Sequence, residues 1–311
     1  MISNTLGRRA FIDGMAAIGV VACCPRLMSS GKEALDENLV ALISDLHVNG
    51  RGDEFPDHRH AEKCLRKAVE GILALRPRPA QVVCLGDIAY FWGLPEDYRL
   101  AATILAPLES AGMKIAFAMG NHDRRDNFLA QWPEYAKTSP VPGRIVSRVS
   151  TPHADLILLD TVNAQPVAFK GKTFPGEIDN AQREWLEAEL ARTTKPLFVC
   201  AHHGMKEDAV RLSKTLLSAK ACKGYIHGHW HRWLPQFDFV RLNRLLSTVC
   251  LPSTGHWGDI GFATLRTFSD RAVLALHQTD FFGIKGPGDG HPNRDFILKD
   301  RAGAVMTFSL A

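Results

Sequence analysis

The sequence predicts an α/β fold, on three observations. Short apolar runs of strand length alternate with amphipathic helical patterns. Compact polar clusters of Gly, Asp, Asn and His stand where such runs end. The composition, 46% hydrophobic and 23% charged over 311 residues, is that of a globular chain able to bury a large core. A single core stops growing near roughly 250 to 300 residues, so the reading is one domain over residues 38–311 preceded by an appendage, residues 1–37.

The appendage has its own pattern. Arg8-Arg9-Ala10-Phe11-Ile12 precedes a run of small apolar residues from Gly14 to Cys23, which resembles a twin-arginine export signal. That run is shorter than the roughly 20 apolar residues a membrane span requires. Val20-Val21-Ala22-Cys23 resembles a lipobox, in which the Cys becomes an acylated N-terminus. The two patterns imply an exported protein, periplasmic or attached to a membrane through Cys23; without them the expectation is cytoplasmic. Residues 25–37 read as a linker, and the domain begins near Leu39.

From there residues 39–43, 81–85, 114–119, 155–159 and 197–200 read as buried strands. Between the first two, Ala61, Cys64, Leu65, Ala68, Val69, Ile72 and Leu73 form a helical stripe that packs one face on a sheet, and Pro77 and Pro79 end it. A second helix is expected over 179–191, capped by Asp179 or Asn180, with Trp185, Leu186 and Leu190 inward. After about residue 233 the helical patterns fade. Segments 245–251, 261–268 and 271–277 read as successive strands completing a second sheet, and the Gly- and Pro-rich stretch 283–293 as a loop before a strand-like tail. The polar clusters that end these runs fall within 39–270, and strands and tail fill 271–311.

The net charge of +4 is small and scattered, which argues against a dedicated nucleic-acid binder. Cys64, Cys84, Cys200, Cys222 and Cys250 are odd in number with no zinc-ribbon spacing. No disulfide framework is expected, and Cys84, Cys200 and Cys250 read as core residues.

The chemistry lies in five clusters: Ser44-Asp45-Leu46-His47, Gly86-Asp87, Gly120-Asn121-His122-Asp123, Ala201-His202-His203-Gly204 and Gly228-His229-Trp230-His231. Each alone is weak, since a Gly-Asp is commonly a turn. Their placement is the argument, because ligands in open α/β sheets bind beyond the carboxyl ends of strands, where separate strands deliver side chains to one place. Period two would set His229 and His231 on one face of a strand, with Trp230 pointing away into packing. Imidazole, carboxylate and amide together suit Mn, Fe, Zn or Co, whereas Ca²⁺ would take oxygen throughout.

In this order the five blocks resemble the calcineurin-like metallophosphoesterase superfamily, and among its members the bacterial branch that includes class III cyclic nucleotide phosphodiesterases. Gly120 to Asp123, Pro175-Gly176, Gln182 and Trp185-Leu186 carry that closer likeness. The resemblance implies two mixed β-sheets packed as a sandwich with helices outside. It implies two divalent or transition metal ions, one held by Asp45, His47, Asp87 and His231, the other by Asp87, Asn121, His202 and His229. It also implies hydrolysis of phosphoric esters, diester or monoester, by a hydroxide between the ions. His122 would then be the acid for the leaving oxygen and Asp123 would orient it.

Two features depart from the pattern: Gly204 stands where Pro is common, and Trp230 where a small residue is usual. His203 is read as structural or as a neighbour of the ligands. Tyr90 completes a Gly-Asp-x-x-Tyr resembling purple acid phosphatases, but those enzymes lack the His that His47 provides here. A small phosphoester is the expected partner, with Phe91, Trp92, Asn49, Arg124, His256 and Trp257 as candidate contacts. The alternatives are a purple-acid-phosphatase-like phosphomonoesterase and a non-catalytic metal-binding protein.

Overall fold

The computed structural model describes residues 34–52, 59–162, 176–204, 209–241, 244–285 and 291–311. Arg8-Arg9, Cys23, most of the linker and Pro175 lie outside the described residues. Two six-stranded mixed sheets pack face to face between helices.

In the first sheet the order is β12-β11-β10-β1-β2-β3, with β1 Leu35–Ile43, β2 Arg78–Leu85, β3 Lys114–Ala118, β10 Gly258–Thr267, β11 Arg271–Phe282 and β12 Val305–Ser309. In the second it is β4-β5-β6-β7-β9-β8, with β4 Ser147–Ser150, β5 Asp155–Leu158, β6 Leu197–Ala201, β7 Cys222–His227, β8 Leu234–Arg241 and β9 Arg244–Cys250. Strands β1, β2 and β3 run parallel, as do β5, β6, β7 and β9.

Strand alternation builds the layers. Ala41 and Ile43 of β1, with Val82 and Cys84 of β2, face outward onto helix α1 Arg59–Ala74, whose Leu65, Ala68, Val69 and Ile72 fill that core. Val40, Leu42, Val83 and Leu85 face the opposite way and meet Leu156, Leu158, Phe198, Cys200 and Ile226 of the second sheet. The outer face of the second sheet is covered by helix α5 Asn180–Arg192 through Leu186 and Leu190, and by α6 Ala209–Ser218 through Leu212 and Leu216. Strands covered on both faces are apolar throughout, which is why they are the most legible in the sequence. Asp179 caps α5, its carboxylate accepting from Gln182 N at 2.9 Å.

Several expectations need correction. The first strand starts at Leu35, inside the stretch read as linker, because Leu35 packs on the core and Asp36 pairs with Arg266 at 2.9 Å. The C-terminal strands do not share one sheet: β9 joins the second, but β10 pairs antiparallel with β1 and brings β11 and β12 to the first. The tail is a helix, α7 Arg294–Arg301, and then β12. Trp185 is half-buried, while Gln182 and Glu189 are buried on α5. Helices α2 Pro95–Ser110, α3 Arg125–Gln131 and α4 Tyr135–Thr138 were not anticipated. The five described cysteines are free, and all but Cys64 are buried. No helix among the described residues is long and apolar enough to cross a membrane.

Candidate metal centre

The five clusters meet at one end of the sandwich, where the two sheets adjoin. Asp45 and His47 follow β1, Asp87 follows β2 and Asn121 follows β3, all from the first sheet; His202 follows β6, and His229 and His231 follow β7, from the second. The fifth expected strand, β5, delivers no ligand to this point. Its Asp160 forms a buried pair with Arg125, at 2.6 Å and 2.7 Å, and fastens the loop behind Asn121.

Around Asp87 the approaches are short. Asp87 Oδ2 lies 3.2 Å from His202 Nε2 and 3.6 Å from His47 Nε2. On one side His47 Nε2 is 3.3 Å from His231 Nε2, which is 3.2 Å from Asp45 Oδ1. On the other, His202 Nε2 is 3.1 Å from Asn121 Oδ1 and 3.2 Å from His229 Nδ1. Two groups of donor atoms thus share Asp87.

The outer nitrogens explain what the inner ones present. His47 Nδ1 lies 3.1 Å from the Tyr90 carbonyl, His202 Nδ1 2.8 Å from that of Leu85, and His231 Nδ1 3.2 Å from that of Trp257. A carbonyl only accepts, so each Nδ1 carries a proton and each ring turns its Nε2 inward. His47 then turns its Nε2 toward His231 Nε2 and Asp87 Oδ2, and a cation between these atoms would satisfy them together. His203 adds an orphaned buried nitrogen. Its Nδ1 meets the Thr161 hydroxyl at 2.8 Å, but Nε2 has no partner although the ring lies 4.8 Å from that of His229. The donor set therefore fits first-row divalent ions.

Electrostatics agree. Burial alone would raise the Asp45 carboxyl, but His231 and His202 hold it well below the usual carboxylate range. Asp87 is likewise depressed against burial by His202, His122 and His47. Burial pushes His47 down to about 3, keeping it neutral, as a metal ligand must be. Burial would lower His202 too, but the Asp87 carboxylate outweighs it and lifts His202 to about 9, so within the chain's own charges a proton sits where a cation would.

Backbone geometry marks the same residues. Asp45, His47, Asp87, His229 and His231 have φ of 54°, 45°, 49°, 71° and 54°. Non-glycine residues in this region are uncommon, and such strain concentrates at functional sites. It also corrects an expectation: His229 and His231 are not on a strand, since β7 ends at His227 and turns place them. Trp230 packs against His227, with ring centroids 4.8 Å apart, and against Gly204, where a side chain would crowd its ring.

His122 sits at the rim, half-buried, its ring 5.1 Å from that of His47 and its backbone N–H donating to Asp87 Oδ1 at 2.8 Å. Its Nδ1 faces the Phe91 carbonyl at 3.1 Å. Asp123, the expected orienting carboxylate, is engaged by backbone donors. It accepts from the backbone of Gly120 at 2.9 Å and of Ile88 and Ala89 at 3.1 Å, locking the Asp87 loop to the Asn121 loop. Burial and the Asp87 charge push it up to about 7.

Of the candidate substrate contacts, Phe91, His256 and Trp257 border the centre, with rings 5.3 Å from His122, 4.6 Å from His47 and 4.5 Å from His231. Trp92 packs on Phe91, Asn49 accepts from Arg51 N in a local turn, and Arg124 pairs with Asp126. Tyr90 serves the site through its carbonyl and through its ring, which packs on Phe91 and His256.

The sequence reading missed the supports. Ser44 Oγ donates to Asp45 Oδ2 at 2.6 Å, and Ser253 Oγ to the Asp45 carbonyl at 2.9 Å. Tyr98 of α2 accepts from Arg124 N at 2.7 Å and donates to Asp123 Oδ1 at 3.3 Å. Only Ser44, beside a ligand, carried a signal. Tyr98→Phe leaves the Arg124 N–H without its hydroxyl partner and is expected to cost about 1–2 kcal/mol. A lowered urea midpoint at unchanged slope would report that loss; an unchanged midpoint would mean that Tyr98 fills space only.

The profile of the calcineurin-like phosphoesterase family matches residues 39–233, more than half of the chain. A probable cyclic nucleotide phosphodiesterase of Psychrobacter arcticus is 24% identical over 69% of this chain and 79% of that protein. A probable glycerophosphodiester phosphodiesterase of Arcobacter nitrofigilis is 25% identical over 53% of this chain and 56% of its own length. A dimetal phosphatase from Danio rerio shares the fold, with a TM-score of 0.60 at 17% identity over 77% of this chain and 96% of that one.

Proposed function

The chain belongs to the calcineurin-like phosphoesterase family, and from that premise we propose a phosphodiesterase that works with two first-row divalent ions. Asp45, His47, Asp87 and His231 would hold one ion, and Asp87, Asn121, His202 and His229 the other. The observation that carries this is the set of imidazole Nε2 atoms turned toward a shared Asp87, each ring fixed from behind by a backbone carbonyl.

When bound, the ions acidify water and neutralise phosphoryl charge. The protein does the rest. The carbonyls of Tyr90, Leu85 and Trp257 hold the ligand rings in one tautomer, and Asp123 keeps the Asp87 and Asn121 loops in register. Through Nδ1 against the Phe91 carbonyl, His122 is held beside the centre, where it would protonate the departing oxygen. Phe91, His256 and Trp257 limit water around the reacting ester. The names of the two curated relatives, both of phosphodiester hydrolases, support diesters over monoesters.

The test is reconstitution. Chelator-stripped protein given Mn²⁺, Fe²⁺, Zn²⁺ or Co²⁺ in turn is expected to take up about two ions per chain and to cleave bis(4-nitrophenyl) phosphate, with the stripped protein inactive. Stoichiometric uptake without turnover of any diester or monoester would leave a metal-binding protein instead.

A further inference from the structure

A groove of about 650 Å³ adjoins the candidate metal centre and shares His231 and Trp257 with it. Topology puts it there. Strand β10 starts at Gly258, opposite Phe282 at the end of β11, and β10 runs antiparallel to β1. The start of β10 and the end of β11 therefore lie at the same end of the first sheet as Asp45 and His47. The groove's far wall, from β11 and α7, lies beyond the residues that match the family.

Its chemistry differs from that of the metal centre. The walls include Trp257, Phe281, Phe282, Ile284 and Ile297, with Arg232, Lys285 and His291 beside them, and Ile284 is 79% exposed. The carboxylate at its floor, Asp259, is already paired with Arg301 at 2.8 Å and accepts from Trp233 N at 2.6 Å. The floor therefore asks for no cation from a ligand. An apolar group entering would cover ring and aliphatic surface that water now wets.

The site's geometry gives the group an identity. The groove meets the centre at His231 and Trp257, and neither His122 nor Phe91, whose rings are 5.3 Å apart, is in its lining. A leaving oxygen protonated by His122 would depart beside Phe91, which leaves the groove at His231 and Trp257 for the substituent that stays on phosphorus. We propose that this groove binds the retained apolar substituent, aryl or long-chain alkyl, of a phosphodiester. The proposal rests on the phosphodiesterase reading and narrows it, since a monoester has nothing to place there.

Matched substrates test it: methyl, hexyl and phenyl 4-nitrophenyl phosphates, which share one leaving group, on the metal-loaded full chain. Hexyl and phenyl esters are expected to exceed the methyl ester by about tenfold or more in kcat/KM. In Phe282→Ala and, independently, Ile297→Ser, that ratio should fall toward one. A larger gain for phenyl identifies a stacked ring, a larger gain for hexyl a flexible chain. Calorimetric binding of hexylphosphonate against methylphosphonate, to the same loaded proteins, separates the two layers of the argument. Hexyl preference in binding without turnover would sink the hydrolase reading and keep the groove. Turnover with no preference, or a preference untouched in both variants, would sink the groove and keep the hydrolase.

Discussion

Asp87→Ala is expected to lose both metal ions and essentially all turnover. Asp87 is the side chain both donor groups share, 3.2 Å from His202 and 3.6 Å from His47, and its other oxygen receives the His122 N–H at 2.8 Å. Truncation removes a ligand from each group, leaves His202 without the carboxylate that raises it, and frees the turn that carries His122. Metal catalysis contributes several kcal/mol; at about 1.4 kcal/mol per tenfold, a loss of roughly 10³-fold or more follows. Elemental analysis and diester turnover on the same preparation check it. Two ions per chain with wild-type activity would refute the bridging assignment.

His122→Ala should show a different signature. Its ring stands beside the metal centre, so the variant should retain both ions while losing on the order of 10²- to 10⁴-fold in rate. The loss should be smallest for a nitrophenolate leaving group, which needs little protonation, and largest for an alkoxide. Metal-ligand variants should damage both alike. Equal losses on the two leaving groups in His122→Ala would withdraw the acid role and leave only a contact to the phosphoryl group.

What could be read in the sequence depended on how local the cause was. Strands β2 and β6 are nearly uninterrupted apolar runs because both of their faces are covered, and they were legible to within a few residues. Strand β7 was not, because Lys223 and Gly224 break its run, although it carries the loop of His229 and His231. Helix α2 begins at Pro95 and holds Pro107 within it, so its pattern resembles a loop. The candidate ligands could be proposed because they stand in short polar clusters just after strands, with Asp87, Asn121 and His229 directly after Gly86, Gly120 and Gly228. Their supports could not be: a carbonyl such as that of Leu85 has no residue signature, and Tyr98 meets Asp123 only through the packing of α2. Nor does any local feature reveal that β10 returns to pair with β1.

The centre draws Asp45, His47, Asp87 and Asn121 from one sheet and His202, His229 and His231 from the other, with no disulfide among the described residues to join them. An ion bound there is a removable cross-link between chain segments far apart in sequence. In the chain-entropy account, closing a loop of about 100 residues takes roughly 4.7 kcal/mol of freedom from the unfolded state. To the extent that ions stay bound as the chain opens, metal loading restricts the unfolded ensemble as well as favouring the native one. The sandwich would then be riveted at the end where the two sheets bring these donors together.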